Sequence, residues 1–198
     1  WEDVKFHRDV DLMISLGGDG TLIGLCRRIN RKIPILGINL GRLGFITEFN
    51  KTEFFDHLDS IFKGNFVTNL KPLCQINVLR KNKRIFNEYF FNDAVVATND
   101  IARMIYLRTE LGEEHVYNLA GDGIIISTPL GSTAYSMAAG GPIVHPEVEA
   151  FVITPICPHS LVHRPFVVPN KQPLRLKILP PYHSVTLTLD GQVAFQLE

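Results

Sequence analysis

The chain of 198 residues sets 20 Lys and Arg against 20 Asp and Glu, so it carries no formal net charge, and 45% of its residues are hydrophobic. So apolar a chain at zero charge is not a disordered tail, and neutrality excludes a dominant nucleic-acid footprint. No run of about 18 apolar residues occurs, so no membrane-spanning helix is expected. Cys26, Cys74 and Cys157 are odd in number and lack CxxC spacing, which predicts a reducing, cytoplasmic setting rather than a disulfide scaffold. The opening Trp1-Glu2-Asp3 shows neither an initiator Met nor an apolar leader, and reads as a start inside a longer protein.

The first third reads as α/β. Val10 to Leu16 is a short apolar run, expected to be a buried parallel strand, that ends at Gly17-Gly18-Asp19-Gly20. From Thr21 the spacing of Leu22, Leu25 and Ile29 predicts a helix ending near Asn30. Pro34 to Ile38 predicts a second strand, closed by the loop Gly41-Arg42-Leu43-Gly44. Phe54, Phe55, Leu58, Ile61 and Phe62 then recur at helical spacing between Thr52, the expected N-cap, and Gly64. Strand, glycine loop, helix, strand and helix make a doubly wound fragment. After about Val67 the texture becomes β-rich. Strands are predicted at Gln75–Arg80, Arg84–Phe91, Ala102–Glu110, Glu114–Leu119, Ile124–Ser127, Arg175–Leu179 and Ser184–Leu189, a series that suggests a sandwich or barrel. The small-residue segment Gly131 to Gly141 is expected to contain a helix, after a strand that ends at Pro129.

Three motifs point to chemistry. The first glycine loop sits where a strand hands over to a helix, and helix N-termini attract phosphate through unpaired N–H groups and the helix dipole. It is neither GxxxxGK[ST] nor GxGxxG, and its distinctive residue is Asp19. A carboxylate repels phosphate, so Asp19 either serves a phosphate-associated Mg²⁺, accepts a proton from an attacking hydroxyl, or caps the following helix. Asn92-Asp93 pairs an amide that both donates and accepts with a carboxylate that accepts, a combination suited to a base edge and a ribose diol, although Asn-Asp is also a common turn pair. Ser127 to Tyr135 places small hydroxylated residues around Gly131 before an aromatic ring that can face a base, or simply anchor a helix capped by Ser132. Gly121-Asp122-Gly123 sets a second acid in permissive backbone. His159 and His163, bracketed by Pro158 and Pro165, do not make a zinc site.

Taken in order, these segments resemble the NAD kinases. The resemblance rests on Gly17 to Thr21, Gly37-Ile38-Asn39 with Leu43-Gly44-Phe45, Asn92-Asp93, Asp122 through Tyr135, Gly140-Gly141-Pro142, and Pro155 to Leu161 with Arg164-Pro165. It implies an incomplete Rossmann-like α/β domain over residues 1–68, followed by a β-sandwich-like, NAD-binding domain over 69–198 that is shortened at its C-terminus. It further implies Mg²⁺-dependent transfer of a phosphoryl group from ATP or polyphosphate to the 2′-hydroxyl of the adenosine ribose of NAD. Asp19 would be the catalytic acid beside that hydroxyl, and Gly17, Gly18, Gly20 and Thr21 would receive the donor phosphates. For NAD, the resemblance implies contacts from Asp19, Gly20, Phe45, Asn92, Asp93, Asp122, Thr133, Ala134 and Tyr135, with Asn92 and Thr133 on the adenine and Asp93 on the ribose. Asp122 would lie toward the nicotinamide, in a site completed by a neighbouring subunit of a homodimer or homotetramer.

Ala120 stands where some members have a basic residue, and Leu130 where small or hydroxylated residues are frequent. The strand and helix expected before the first glycine loop are largely missing. A lipid kinase of the diacylglycerol or sphingosine type shares the GGDGT loop, and a module that binds NAD or NADP without turnover is the non-enzymatic alternative. Partners are therefore expected to be small molecules and further copies of the chain, with no nucleic acid and no membrane.

Overall fold

The computed structural model describes residues 10–29, 33–41, 44–101 and 103–197, in two compact units divided between Leu73 and Cys74. Asn30, expected near the first helix end, Arg42 and Leu43 of the second glycine loop, and Ala102, the expected start of a strand, lie outside the described residues. Among the described residues no helix is long and apolar enough to cross a membrane.

The first unit is a parallel sheet with one helix in its first connection and another after its last strand. β1 (Met13–Leu16) pairs with β2 (Ile35–Asn39), and β2 with the short β3 (Phe49–Asn50), in the order β1-β2-β3. α1 (Asp19–Arg28) joins β1 to β2, and α2 (Lys51–Phe62) follows β3. Parallel neighbours need such crossovers, which is why strand and helix periodicities alternate here. β1 is not the fully buried strand expected. Met13 and Ser15 are buried while Ile14 and Leu16 are exposed, because side chains alternate along a strand and the described residues cover one face. Nor is Thr52 the cap of α2. Asn50 accepts from the Glu53 N–H at 3.0 Å, and the Glu53 carboxylate accepts from the Asn50 N–H at 2.9 Å. This reciprocal pair satisfies two helix-end donors and starts the helix two residues earlier.

The second unit is antiparallel throughout. Its strands are β4 (Cys74–Arg80), β5 (Lys83–Phe90), β6 (Asp93–Thr98), β7 (Ile105–Leu111), β8 (Glu114–Gly121), β9 (Gly123–Ser127), β10 (Ala150–Ile156), β11 (Phe166–Pro169), β12 (Leu174–Leu179), β13 (Val185–Leu189) and β14 (Val193–Leu197). A six-stranded sheet runs β11-β10-β9-β6-β13-β14, a three-stranded sheet β12-β7-β8, and β4 and β5 form a hairpin. One core joins all three: Ile124, Ile126, Ile153, Val185, Leu187 and Leu189 of the large sheet pack with Ile105, Leu107 and Leu119 of the small one, and Ile76, Val78 and Phe86 of the hairpin lie against them. β9 is buried at every residue, and each of its isoleucines contributes roughly 1.5–3 kcal/mol by leaving water. Phe86 stacks on Phe195 with ring centroids 4.4 Å apart, which fastens the hairpin to β14.

Four strands of this unit lie where none was predicted: β6, β10, β11 and β14. The segment after β9 also differs from expectation. β9 ends at Ser127, not Pro129, whereas the helix expected within Gly131 to Gly141 is present as the one-turn α3 (Tyr135–Ala138), preceded by a 3₁₀ turn (Leu130–Thr133). Ser132 is no N-cap. Its buried hydroxyl donates to the Pro129 carbonyl at 2.6 Å and accepts from the Val144 N–H at 3.0 Å, stapling the turn to the chain that leads into β10.

Candidate functional site

In the first unit the glycine loop follows β1, whose register is continued by the Gly17 N–H donating to the Ile38 carbonyl at 3.0 Å. Gly18 is the N-cap of α1, with φ −89° and no capping side chain. A Cβ added there would meet nothing within 4 Å. Neither conformation nor internal packing therefore requires glycine at 18; its bareness leaves the backbone at the helix N-terminus approachable from outside. Gly18, Gly20 and Thr21 are all exposed, so the four residues expected to receive phosphate form an open end of α1.

Asp19 is the first helical residue, not its cap. Its carboxylate turns to the chain that runs into β3: Oδ2 accepts from the Phe45 N–H at 2.7 Å, and Oδ1 accepts from the N–H groups of Ile46 at 3.3 Å and Thr47 at 3.2 Å and from the Thr47 hydroxyl at 3.2 Å. Asn39, at the end of β2, donates in turn to the Thr47 hydroxyl at 3.2 Å. Gly44 is needed for this contact, because a side chain there would run into the Asp19 carboxylate. The acid thus joins the two glycine loops, and Oδ2, with one donor, keeps capacity to accept from a hydroxyl. Phe45 reaches Asp19 through its amide, while its ring is 76% exposed. Among the described residues no group of three or more His, Cys, Asp or Glu can hold a metal ion.

In the second unit a cavity of about 370 Å³ is walled by Asn92, Asp93, Ala134 and Tyr135, four of the residues selected from the sequence, together with Thr188 and Asp190. The β5–β6 turn and the 3₁₀ turn are locked to each other beneath it. The Thr128 N–H donates to the Asn92 carbonyl at 2.8 Å, the Thr128 hydroxyl donates to the Phe91 carbonyl at 2.8 Å, and the Gly131 N–H donates to that hydroxyl at 3.1 Å. Gly131 rests on the Asn92 backbone so closely that any side chain would strike the carbonyl. Asn92 Oδ1 is buried and has no hydrogen-bond partner, a condition that costs about 1–3 kcal/mol unless a donor arrives. Asp93 is 5% exposed, and burial, reinforced by the neighbouring Asp190 carboxylate, pushes its carboxyl up to about 6. Tyr135 is half exposed beside them. An orphan amide acceptor, an acid short of donors and an aromatic ring together suit a ligand with an amino-bearing ring and vicinal hydroxyls.

A larger cavity, of about 420 Å³, lies beside Tyr182, His183 and Leu197 and holds none of the predicted site residues. The smaller one is the better candidate because polar atoms in its wall lack partners. Thr133 and Asp122 are not in that wall. The Thr133 hydroxyl donates to the Leu130 carbonyl at 3.3 Å. Asp122 is exposed and accepts from the Cys157 thiol, a bond that, with the acid's charge, pushes the thiol up from its ordinary value. Asp190 was not singled out from the sequence, although Asp190-Gly191 is a recognisable hairpin turn.

The sequence matches two family profiles, the ATP-NAD kinase N-terminal domain over residues 3–66 and the ATP-NAD kinase C-terminal domain over residues 91–198. An NAD kinase from Geotalea daltonii is 42% identical over 189 residues, which are 95% of this chain and 66% of that protein. One from Syntrophobacter fumaroxidans is 43% identical over 96% of this chain and 68% of its own length. Among solved structures, yeast NADH kinase complexed with NADH superposes with a TM-score of 0.84 at 30% identity, covering 96% of this chain and 55% of that one. An NAD kinase from Archaeoglobus fulgidus in complex with ATP gives 0.80 at 27% identity, over 95% of this chain and 71% of that one. The chain therefore spans about two thirds of the length of the curated relatives it matches.

Proposed function

The chain belongs to the NAD kinase family, and from that premise we propose that it transfers a phosphoryl group from ATP or polyphosphate to the 2′-hydroxyl of the adenosine ribose of NAD, giving NADP. The observation that carries the proposal is the cavity in the second unit, where the partnerless Asn92 acceptor, the buried Asp93 and the Tyr135 ring meet. An adenine amino group satisfies Asn92 Oδ1, the ribose hydroxyls supply donors to Asp93, and Tyr135 covers the base. Ala134 shapes the wall on the adenine side, and Thr133, just outside that wall, is assigned to the adenine by the family resemblance alone. Gly17, Gly18, Gly20 and Thr21 take the donor phosphates at the α1 N-terminus, and Phe45 borders the dinucleotide.

Phosphoryl transfer needs alignment and charge neutralisation more than covalent help. The ribose oxygen forms the new P–O bond as the bond to the leaving phosphate breaks. Asp19, immobilised by the 45–47 amides, orients the hydroxyl through Oδ2 and receives its proton. Among the described residues no acid cluster cages a cation, so a divalent cation such as Mg²⁺ fits as a companion of the donor phosphates, where it would neutralise charge on the transferred group. The exposure of Asp122 supports a contact made across a homo-oligomer, which light scattering of the intact chain tests.

The direct test is to incubate the chain with Mg²⁺, NAD and ATP, then with polyphosphate, and measure NADP, with NADH and a diacylglycerol as rival acceptors. NADP formation is the expected result. Phosphorylated lipid in its place overturns the proposal, and NAD binding without turnover leaves a binding module.

A further inference from the structure

The β13–β14 turn reaches the dinucleotide cavity from the far end of the chain. Asp190 and Gly191 have φ values of +50° and +63°, and the Gln192 N–H donates to the Leu189 carbonyl at 2.9 Å, which makes a two-residue primed hairpin turn. From that turn the Asp190 carboxylate crosses to the β5–β6 turn, 97 to 99 residues earlier. Its Oδ1 accepts from the N–H groups of Phe91 at 3.1 Å, Asn92 at 2.7 Å and Asp93 at 3.1 Å, and its Oδ2 also receives Phe91 at 3.0 Å. The Asp190 N–H returns a bond to the Asp93 carbonyl at 2.9 Å. Three consecutive amides converging on one carboxylate form an anion nest whose anion is a side chain of the same protein.

We propose that Asp190 is a positioning residue of the dinucleotide cavity: it fixes the Asn92-Asp93 turn through backbone N–H groups and sets its carboxylate against Asp93, so that binding of a ribose diol weakens in acid. The inference rests on the reading of the cavity given above. Asp190 is supplied with donors. Asp93 faces it with none reaching its carboxylate among the described residues, and its carboxyl lies at about 6. A diol brings the missing donors and favours the ionised form, so protonation of Asp93 competes with the ligand.

The groups packed around Asp93 leave Asp190 as its electrostatic partner. The turn contributes Asp190, α3 contributes Tyr135 across the cavity, and β9 and β13 contribute Ser127 and Thr188, which do not titrate. Cys74 of β4 also feels Asp190, and burial with that charge pushes its thiol up to about 11, so it is neutral over the useful pH range. Among the described residues no basic side chain lines the cavity.

The turn alone does not call for an acid, because Asn-Gly forms primed hairpin turns at least as readily as Asp-Gly. Asp190→Asn therefore keeps the hairpin and one acceptor oxygen while removing the charge. Asp190→Ala removes both. NAD is titrated calorimetrically into the intact chain from pH 5 to 8. The wild type is expected to bind evenly above pH 7 and to lose about tenfold in affinity per pH unit below 6. Asp190→Asn should weaken binding about threefold at pH 8 and move the acid limb down by about one pH unit, whereas Asp190→Ala should move the limb likewise but cost about thirtyfold at pH 8. Asp93→Asn should abolish the acid limb. An acid limb that stays in place in Asp190→Asn overturns the proposal, as does equal loss in the Asn and Ala variants. The carboxyl resonance of Asp93, followed by NMR without ligand, separates the two readings. If NAD fails to bind but the Asp93 titration moves in Asp190→Asn, the cavity assignment falls and the coupling stands; if the titration does not move, the coupling falls.

Discussion

Asp93 is held where its charge is costly, and the cost has a measurable pH signature. Its carboxyl sits at about 6 in the fold against an ordinary 3.8, so the folded chain binds the proton more tightly than the unfolded one. The ionised group therefore destabilises the fold in full above pH 6. That cost fades as the pH falls through 6 and is gone below about 4, where the group is protonated in both states. The shift corresponds to an order of magnitude of about 3 kcal/mol. Asp93→Asn is expected to raise the Tm at pH 7 by about 5 °C, to show no gain near pH 4, and to lose NAD affinity. A lower Tm at pH 7 would mean that the carboxylate has a stabilising partner. Asp19 is an acid already embraced by amides of its own unit. Asp19→Asn keeps an acceptor oxygen for the 45–47 loop but cannot take a proton. NADP formation should fall by about a hundredfold or more while the NAD dissociation constant moves by no more than about threefold. Turnover near the wild-type rate would remove the catalytic role.

At the scale of elements, the site depends on two turns that touch. The 3₁₀ turn and the β5–β6 turn are joined at Thr128, Asn92 and Gly131, with no room for a methyl group between the last two. Gly131→Ala should force the turns apart, weakening NAD binding at least about tenfold with a Tm loss of only a few degrees, as read by calorimetry and thermal melting. The residues of both turns were legible because their types are unusual together: Asn-Asp after an aromatic run, and glycine among hydroxyls before Tyr135. Their partner was not. Asp190 lies 97 residues from Asp93, and local pattern carries no record of a pairing created when β13 joins β6. The same limit explains the unpredicted strands. β6 follows directly on Asn92, so its apolar run was hidden behind what reads as the end of β5. β10 holds Pro155 inside an apolar run, and proline argues against an interior strand. It is tolerated because β11 pairs only with Ala150 to Ile153, which leaves Pro155 on an unpaired side while its other side meets Ile124 of β9. The α2 cap was misplaced for a different reason. Thr52 has the right residue type, but three residues later comes Phe55, whereas Asn50 is followed by Glu53.

At the scale of the whole chain, the apolar content is shared unequally between the units. Among the described residues the first buries Met13, Leu22, Ile23, Ile38 and Ile61, while the second packs three sheets around one continuous core that includes the fully buried Ile124, Ile153, Val185 and Leu189. Burial supplies most of the stabilising free energy, so the two units should not open together. The first carries the acid and phosphate loops; the second carries the cavity. Phosphoryl transfer then depends on the less stable unit and dinucleotide binding on the more stable one. Native-state hydrogen exchange tests this directly. Amides of β9 and of Val152 and Ile153 should exchange only through opening of the whole second unit, while amides of Leu25 to Arg28 in α1 should exchange at least about a hundredfold faster. In low denaturant the α1 amides should lose protection first, and NADP formation should disappear at that concentration while NAD binding persists. Equal protection in α1 and β9, with activity and binding lost at one midpoint, would show a single cooperative molecule.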